Sequence, residues 1–130
     1  MDCPDCGSET AAFAVPEDLR EYVPGGEETL ALCTHCLALH PAEEPSDSPA
    51  FDHVSEAFPT NPDAAIPMAL VVGLSSSLAL YRSELTELLG HVERAGVDPF
   101  LVLGRLADDS GIDATVDLRR RRHQLEQLLD

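Results

Sequence analysis

Cys3-Pro4-Asp5-Cys6-Gly7 and Cys33-Thr34-His35-Cys36 hold all four cysteines of this 130-residue chain. Two residues between ligands let one tight turn present both sulfurs to the same ion. Four thiolates at about 2.3 Å satisfy a tetrahedral cation completely. Pro4 stiffens the first turn, and Gly7 permits the positive φ that a chain leaving such a turn often needs. Residues 7–32 separate the pairs, more than the about 15–20 of the usual zinc pattern, which implies an extra loop. The spacing predicts one structural Zn²⁺ held by Cys3, Cys6, Cys33 and Cys36. Four thiolates leave no open coordination position for a substrate. His91 and His123 lie in no recognisable catalytic motif, and no Gly-rich phosphate loop occurs. The chain is therefore read as non-enzymatic.

Other chemistry for the same cysteines is weaker. Two disulfides would need an oxidising compartment, whereas Asp2 and Asp5 stand where a secretory leader would be basic and then apolar. The expectation is a cytoplasmic protein. A redox dithiol needs one such motif beside a βαβ unit, not two matched ones. Iron in a rubredoxin-like site is the nearest competitor, since four thiolates also suit iron. Against it, the second pair lacks the Pro and Gly of the first, and only Phe13 and Tyr22 supply aromatic bulk between the pairs. His35 and His40 are read as solvent-facing, because four thiolates already fill the site.

The elements that must position these residues are short. Thr10–Val15 and Glu28–Leu32 read as strands, Pro16–Tyr22 as a helical turn, and Pro24-Gly25-Gly26 as a tight turn. The succession from Cys3-Pro-Asp-Cys6-Gly7 through two strands to Cys33-x-x-Cys36 resembles the zinc-ribbon superfamily over residues 1–40. The resemblance implies a short antiparallel β fold and is silent on role. The whole chain is also similar to an uncharacterised family of small haloarchaeal zinc-ribbon proteins. A unit of about 40 residues buries too little apolar surface to fold alone, so metal ligation is expected to fold it.

Twenty-four acidic residues face eight arginines and no lysine, a net charge of −16. Carboxylates hold hydration in concentrated salt, where a Debye length of about 3 Å at 1 M screens their repulsion. A halophilic interior is the reading. With 44% hydrophobic residues, the chain as a whole is not a disordered acidic one. Residues 1–62 hold thirteen acidic residues against Arg20 alone, a balance of −12. Phosphate contacts rest on Lys and Arg and weaken steeply with salt, so the charge argues against nucleic-acid binding through the ribbon.

Residues 41–62 carry five prolines and read as a Pro-rich acidic linker, with Phe51, Val54, Ala57 and Phe58 spaced as a short amphipathic turn able to dock on a neighbouring module. Residues 63–130 read as a helical domain. Leu74, Leu78, Tyr81, Leu85, Leu88 and Val92 recur at steps of four and three, predicting one helix from Pro67 to about Ala95. Gly96 ends it, Asp98-Pro99 starts a second that stops near Gly111, and a third begins near Thr115. Ala64–Tyr81 carries no charge, but Ser75-Ser76-Ser77 sits mid-span and Pro67 and Gly73 weaken it, which argues against a membrane span. Arg119, Arg120, Arg121 and Arg122 form the one basic cluster. Internal neutralisation of carboxylates explains it, and contact with nucleic acid or an acidic partner is the alternative. The predicted fold is α+β: an N-terminal zinc ribbon, then a C-terminal antiparallel helical bundle of three main helices, completed either by docking on the ribbon or by self-association (a homodimer) through the Leu74–Val92 seam. The predicted role is an adaptor that binds protein partners, ahead of a nucleic-acid-contacting regulator using Arg119–Arg122 and an iron electron carrier.

Overall fold

Alternation along Thr10–Ala14 (β1) turns Ala11 and Phe13 inward, and this strand pairs antiparallel with Thr29–Cys33 (β2). In the computed structural model, which describes residues 2–129, the register sets Phe13 opposite Leu30 and Ala11 opposite Leu32. A third strand, Leu39–Pro41 (β3), lies on the far side of β2, giving the sheet order β1-β2-β3. Pro41 is tolerated because β3 is an edge strand and needs no donor there. Being central, β2 is buried from Leu30 to Cys33. The turn between β1 and β2 is a 3₁₀ segment, Glu17–Tyr22, that drops Leu19 into the interior.

Among the described residues four α-helices follow: Pro62–Leu74 (α1), Arg82–Arg94 (α2), Pro99–Asp108 (α3) and Leu118–Leu128 (α4). The fold is α+β, as the sequence implied, with four helices in place of three. The difference lies in the Leu74–Val92 seam, which does not run through one helix. Ser75 Oγ donates to Val72 O at 2.7 Å and Ser76 Oγ to Gly73 O at 3.0 Å. Hydroxyls that bond backwards in this way compete with the helical ladder, and residues 75–77 tighten into a 3₁₀ turn. The chain then reverses, so that α1 and α2 pack against each other. Leu74, Leu85, Leu88 and Val92 are all buried inside this single chain. Self-association through them would have to unpack the interior.

Caps explain the other boundaries. Asn61 accepts from Asp63 N at 3.1 Å and starts α1 before Pro67, which sits inside the helix. Asp98 Oδ1 accepts from Phe100 N and Leu101 N, and Asp117 Oδ1 from Arg119 N and Arg120 N; each is an N-cap of the preferred type. Past α2, Gly96 at φ 89° lets Val97 N reach back to Val92 O, a Schellman closure. No helix among the described residues is long and apolar enough to cross a membrane.

One continuous core joins the parts. Phe13 and Leu32 from the sheet and Met68, Leu85, Leu103 and Leu125 from the helices are each 0% exposed and belong to one cluster. Residues 51–58 enter it as well. Phe51 packs 5.5 Å from Phe13 and stacks 5.6 Å from Phe58, with Val54 buried between them in sequence.

Candidate metal centre

The two Cys-x-x-Cys turns are built alike. Cys3 N donates to Ser8 O at 2.8 Å and Cys33 N to Ala38 O at 2.9 Å, the same offset in each turn. Asp5 N points at Cys3 Sγ and His35 N at Cys33 Sγ, both at 3.4 Å. Each turn also leaves through a residue with positive φ: Gly7 at 80° after Cys6, and Leu37 at 63° after Cys36. The second turn has no glycine to take that conformation. Leucine does so at about 1–2 kcal/mol of strain, and its side chain is buried at 5% exposure. Core contacts thus hold a backbone shape that leucine alone would avoid.

Sheet register brings the turns together, since β2 runs directly into Cys33 opposite Thr10. Cys6 Sγ lies 3.4 Å from Cys33 Sγ and Cys3 Sγ 3.7 Å from Cys36 Sγ. All four sulfurs fall within 4.8 Å of one another. Bonds of about 2.3 Å at tetrahedral angles place sulfurs about 3.8 Å apart, so the donor set fits one ion. The four are free cysteines, and Cys3, Cys6, Cys33 and Cys36 form one group that could hold a metal.

The sulfurs differ electrostatically. The Ser8 hydroxyl, then the Ser8 N–H, stabilise the Cys6 thiolate and lower it from 9.0 to about 6, and Cys6 is exposed. Burial pushes the Cys36 thiol up to about 12. Burial raises Cys33 too, against N–H donation from Cys36 and His35. Cys6 thus favours the thiolate and faces water, whereas Cys33 and Cys36 favour the protonated thiol.

His35 and His40, read as solvent-facing, are both engaged. His35 Nδ1 lies 2.8 Å from Gly111 O, and Asp113 N donates to His35 O at 2.8 Å. The second cysteine turn is thereby tied to the segment between α3 and α4. His40 Nε2 lies 3.0 Å from Asp5 Oδ2. Neither contact has a local signature, because the partner sits 35 or more positions away. A cavity of about 240 Å³ beside the cluster is lined by Asp5, Cys36, His40, Val72 and Gly73, among others.

The arginine cluster is far less free than its sequence suggests. Arg119 pairs with Asp108, Arg122 Nε sits 3.2 Å from Glu126 Oε1, and Arg121 Nη1 donates to Gln124 Oε1 at 2.7 Å. Arg122 also lies over α3, where a Cβ at Gly104 would stand 2.5 Å from its Nη1.

A family model described as "Family of unknown function (DUF6276)" matches residues 2–129. No curated protein and no solved structure matches the chain.

Proposed function

The chain belongs to that family over nearly all its length, and we propose that it is a small non-enzymatic adaptor whose four thiolates hold one structural zinc. The observation that carries this reading is the closed donor set: four sulfurs within 4.8 Å, contributed by two turns of matching construction. Such a set staples structure and leaves no vacancy for a substrate. The zinc-ribbon likeness of residues 1–40 supports the same reading. The partner-binding surface belongs to the helical half, where Leu80 in the turn before α2, Leu101 on α3 and Leu129 after α4 stand 72%, 49% and 44% exposed. The cell is one of high internal salt and the compartment its cytoplasm, an assignment supported by a net charge of −16 without lysine.

Nucleic-acid contact through Arg119–Arg122 is the second reading, and the internal partners of Arg119, Arg121 and Arg122 weigh against it. Protein purified without added metal separates the possibilities. One zinc per chain in colourless protein is expected. Less than about half an equivalent in folded, cysteine-intact protein would overturn zinc, and visible iron–thiolate absorption would make the chain an electron carrier. For the adaptor, a tagged full chain in concentrated salt is expected to retain a protein partner that Leu101→Asp releases. Retention on nucleic acid, abolished when all four arginines become glutamine, would replace the adaptor with the regulator.

A further inference from the structure

Asp5 and His40 meet 3.0 Å apart beside Cys3, and these three side chains bring an oxygen, a nitrogen and a sulfur within 4.8 Å of one another. Asp5 belongs to the first cysteine turn. His40 arrives on β3, whose register sets it opposite Ala31, two positions before Cys33. The geometry points to a second cation site on this cluster: a borderline divalent ion such as zinc, held by Asp5 Oδ, His40 Nε2 and a Cys3 thiolate shared with the first ion, with water completing its shell. The site rests on the four-thiolate reading above.

Distance, charge and access each argue for it. Two light donors about 2.1 Å from one tetrahedral ion stand about 3.4 Å apart, so an ion replaces the 3.0 Å hydrogen bond once the pair opens by about 0.4 Å. Mixed sulfur, nitrogen and oxygen donors suit zinc and its neighbours in the first transition row. Four thiolates around one dication leave a local charge of −2, and the Asp5 carboxylate adds another negative charge. Arg20 is the one basic residue in positions 1–62, and its Nε donates to Val15 O. Within that segment thirteen carboxylates stand against this one arginine, a balance that favours a second dication. A thiolate bound to one ion keeps lone pairs for another. Asp5 is 55% and His40 25% exposed, and both line the 240 Å³ cavity that reaches Cys36. An ion can reach Asp5 and His40 from solvent there and retain water, while Cys3, 3% exposed, lies outside that lining.

The test is metal stoichiometry of the full chain. Metal-free, reduced protein is titrated with Co²⁺ and, separately, dialysed against Zn²⁺ and analysed for bound metal. The expected result is two equivalents: a first with the intense thiolate-to-cobalt absorption of four sulfurs, and a second at least about tenfold weaker. Asp5→Asn and His40→Gln are each expected to hold one equivalent, with the four-sulfur spectrum unchanged. A single equivalent in the unsubstituted chain overturns the second site and leaves the structural zinc standing. So does a second equivalent that survives in both variants. Failure to bind any metal overturns both readings together.

Discussion

Leu37 and Cys36, adjacent in sequence, show how single residues set the properties of the metal centre. Leu37 holds φ 63° where its counterpart in the first turn is Gly7. Leu37→Gly gives up a buried side chain but relieves the strain, whereas Leu37→Ala gives up the side chain and keeps it. The glycine variant is therefore expected to be the more stable of the two by about 1 kcal/mol, the reverse of the usual helix order. Denaturant unfolding of both variants, metal-loaded, decides it, and an alanine variant equal to or better than glycine would refute the strain. The thiols make a second prediction. At pH 7 to 8 Cys6, lowered to about 6, is already a thiolate, while Cys33 is raised and Cys36 stands near 12, so both are thiols. Metal capture must then release the protons of Cys33 and Cys36. As pH falls through about 6, Cys6 protonates and must release one more, so affinity drops an additional about tenfold per pH unit below that point. Calorimetry in buffers of different ionisation enthalpy counts these protons. A release that does not rise between pH 8 and pH 5 would contradict the assignment of Cys6.

At the scale of elements, the close approach of α1 to β3 governs how the sheet meets the helices. A Cβ on Gly73 would lie 2.7 Å from Leu39 Cβ and from Leu39 Cδ2. The Cβ of Leu39 cannot swing aside, so Gly73→Ala is expected to push β3 away from α1 at a cost of about 1–3 kcal/mol. That outweighs the roughly 0.5–1 kcal/mol that alanine gains within a helix. A thermal melt at or above that of the unsubstituted chain would exclude the clash. This contact also marks where sequence stops being informative. The first two strands, the 3₁₀ turn and the start at Asp98 follow from local signals, whereas the last helix, expected from about Thr115, begins at Leu118 behind the Asp117 cap. β3 is three residues long, too short for any period to register, and its identity comes from pairing with Leu30–Leu32. The break at residues 75–77 was hidden for another reason. The apolar spacing continues across it, and only the hydroxyls of Ser75 and Ser76 bonding backwards disclose the turn. The cysteines were legible because their spacing carries the chemistry. Asp5 with His40 was not, since no local pattern joins positions 35 apart.

For the whole molecule, charge and core pull in different directions. The segment 1–62 carries −12 and the rest −4, yet both contribute side chains to one interior. Repulsion among surface carboxylates opposes that shared packing and fades as the Debye length shrinks from about 10 Å at 0.1 M salt to about 3 Å at 1 M. Metal-loaded protein is expected to melt at least about 5 °C higher in 1 M KCl than in 0.1 M, equivalent to roughly 1 kcal/mol for a domain of this size. A melting point that stays level or falls across that range would remove self-repulsion as a significant term. Isolating residues 1–62 is expected to leave metal binding intact but not to yield a packed sheet, because Phe13 and Leu30 share one buried cluster with Met68, Leu70, Leu85 and Leu103, which the fragment lacks. Near-ultraviolet circular dichroism of the metal-loaded fragment would reveal native-like packing if that expectation is wrong.

The shared interior also sets a timetable for synthesis. Both cysteine pairs leave the ribosome well before α1 does, so an ion can be captured while Met68 to Leu74 are still inside the exit tunnel. At about 5–20 residues per second, the nascent chain then spends a few seconds with the apolar residues of the sheet lacking their helical partners. That interval, rather than the finished protein, is when the chain exposes the most apolar surface.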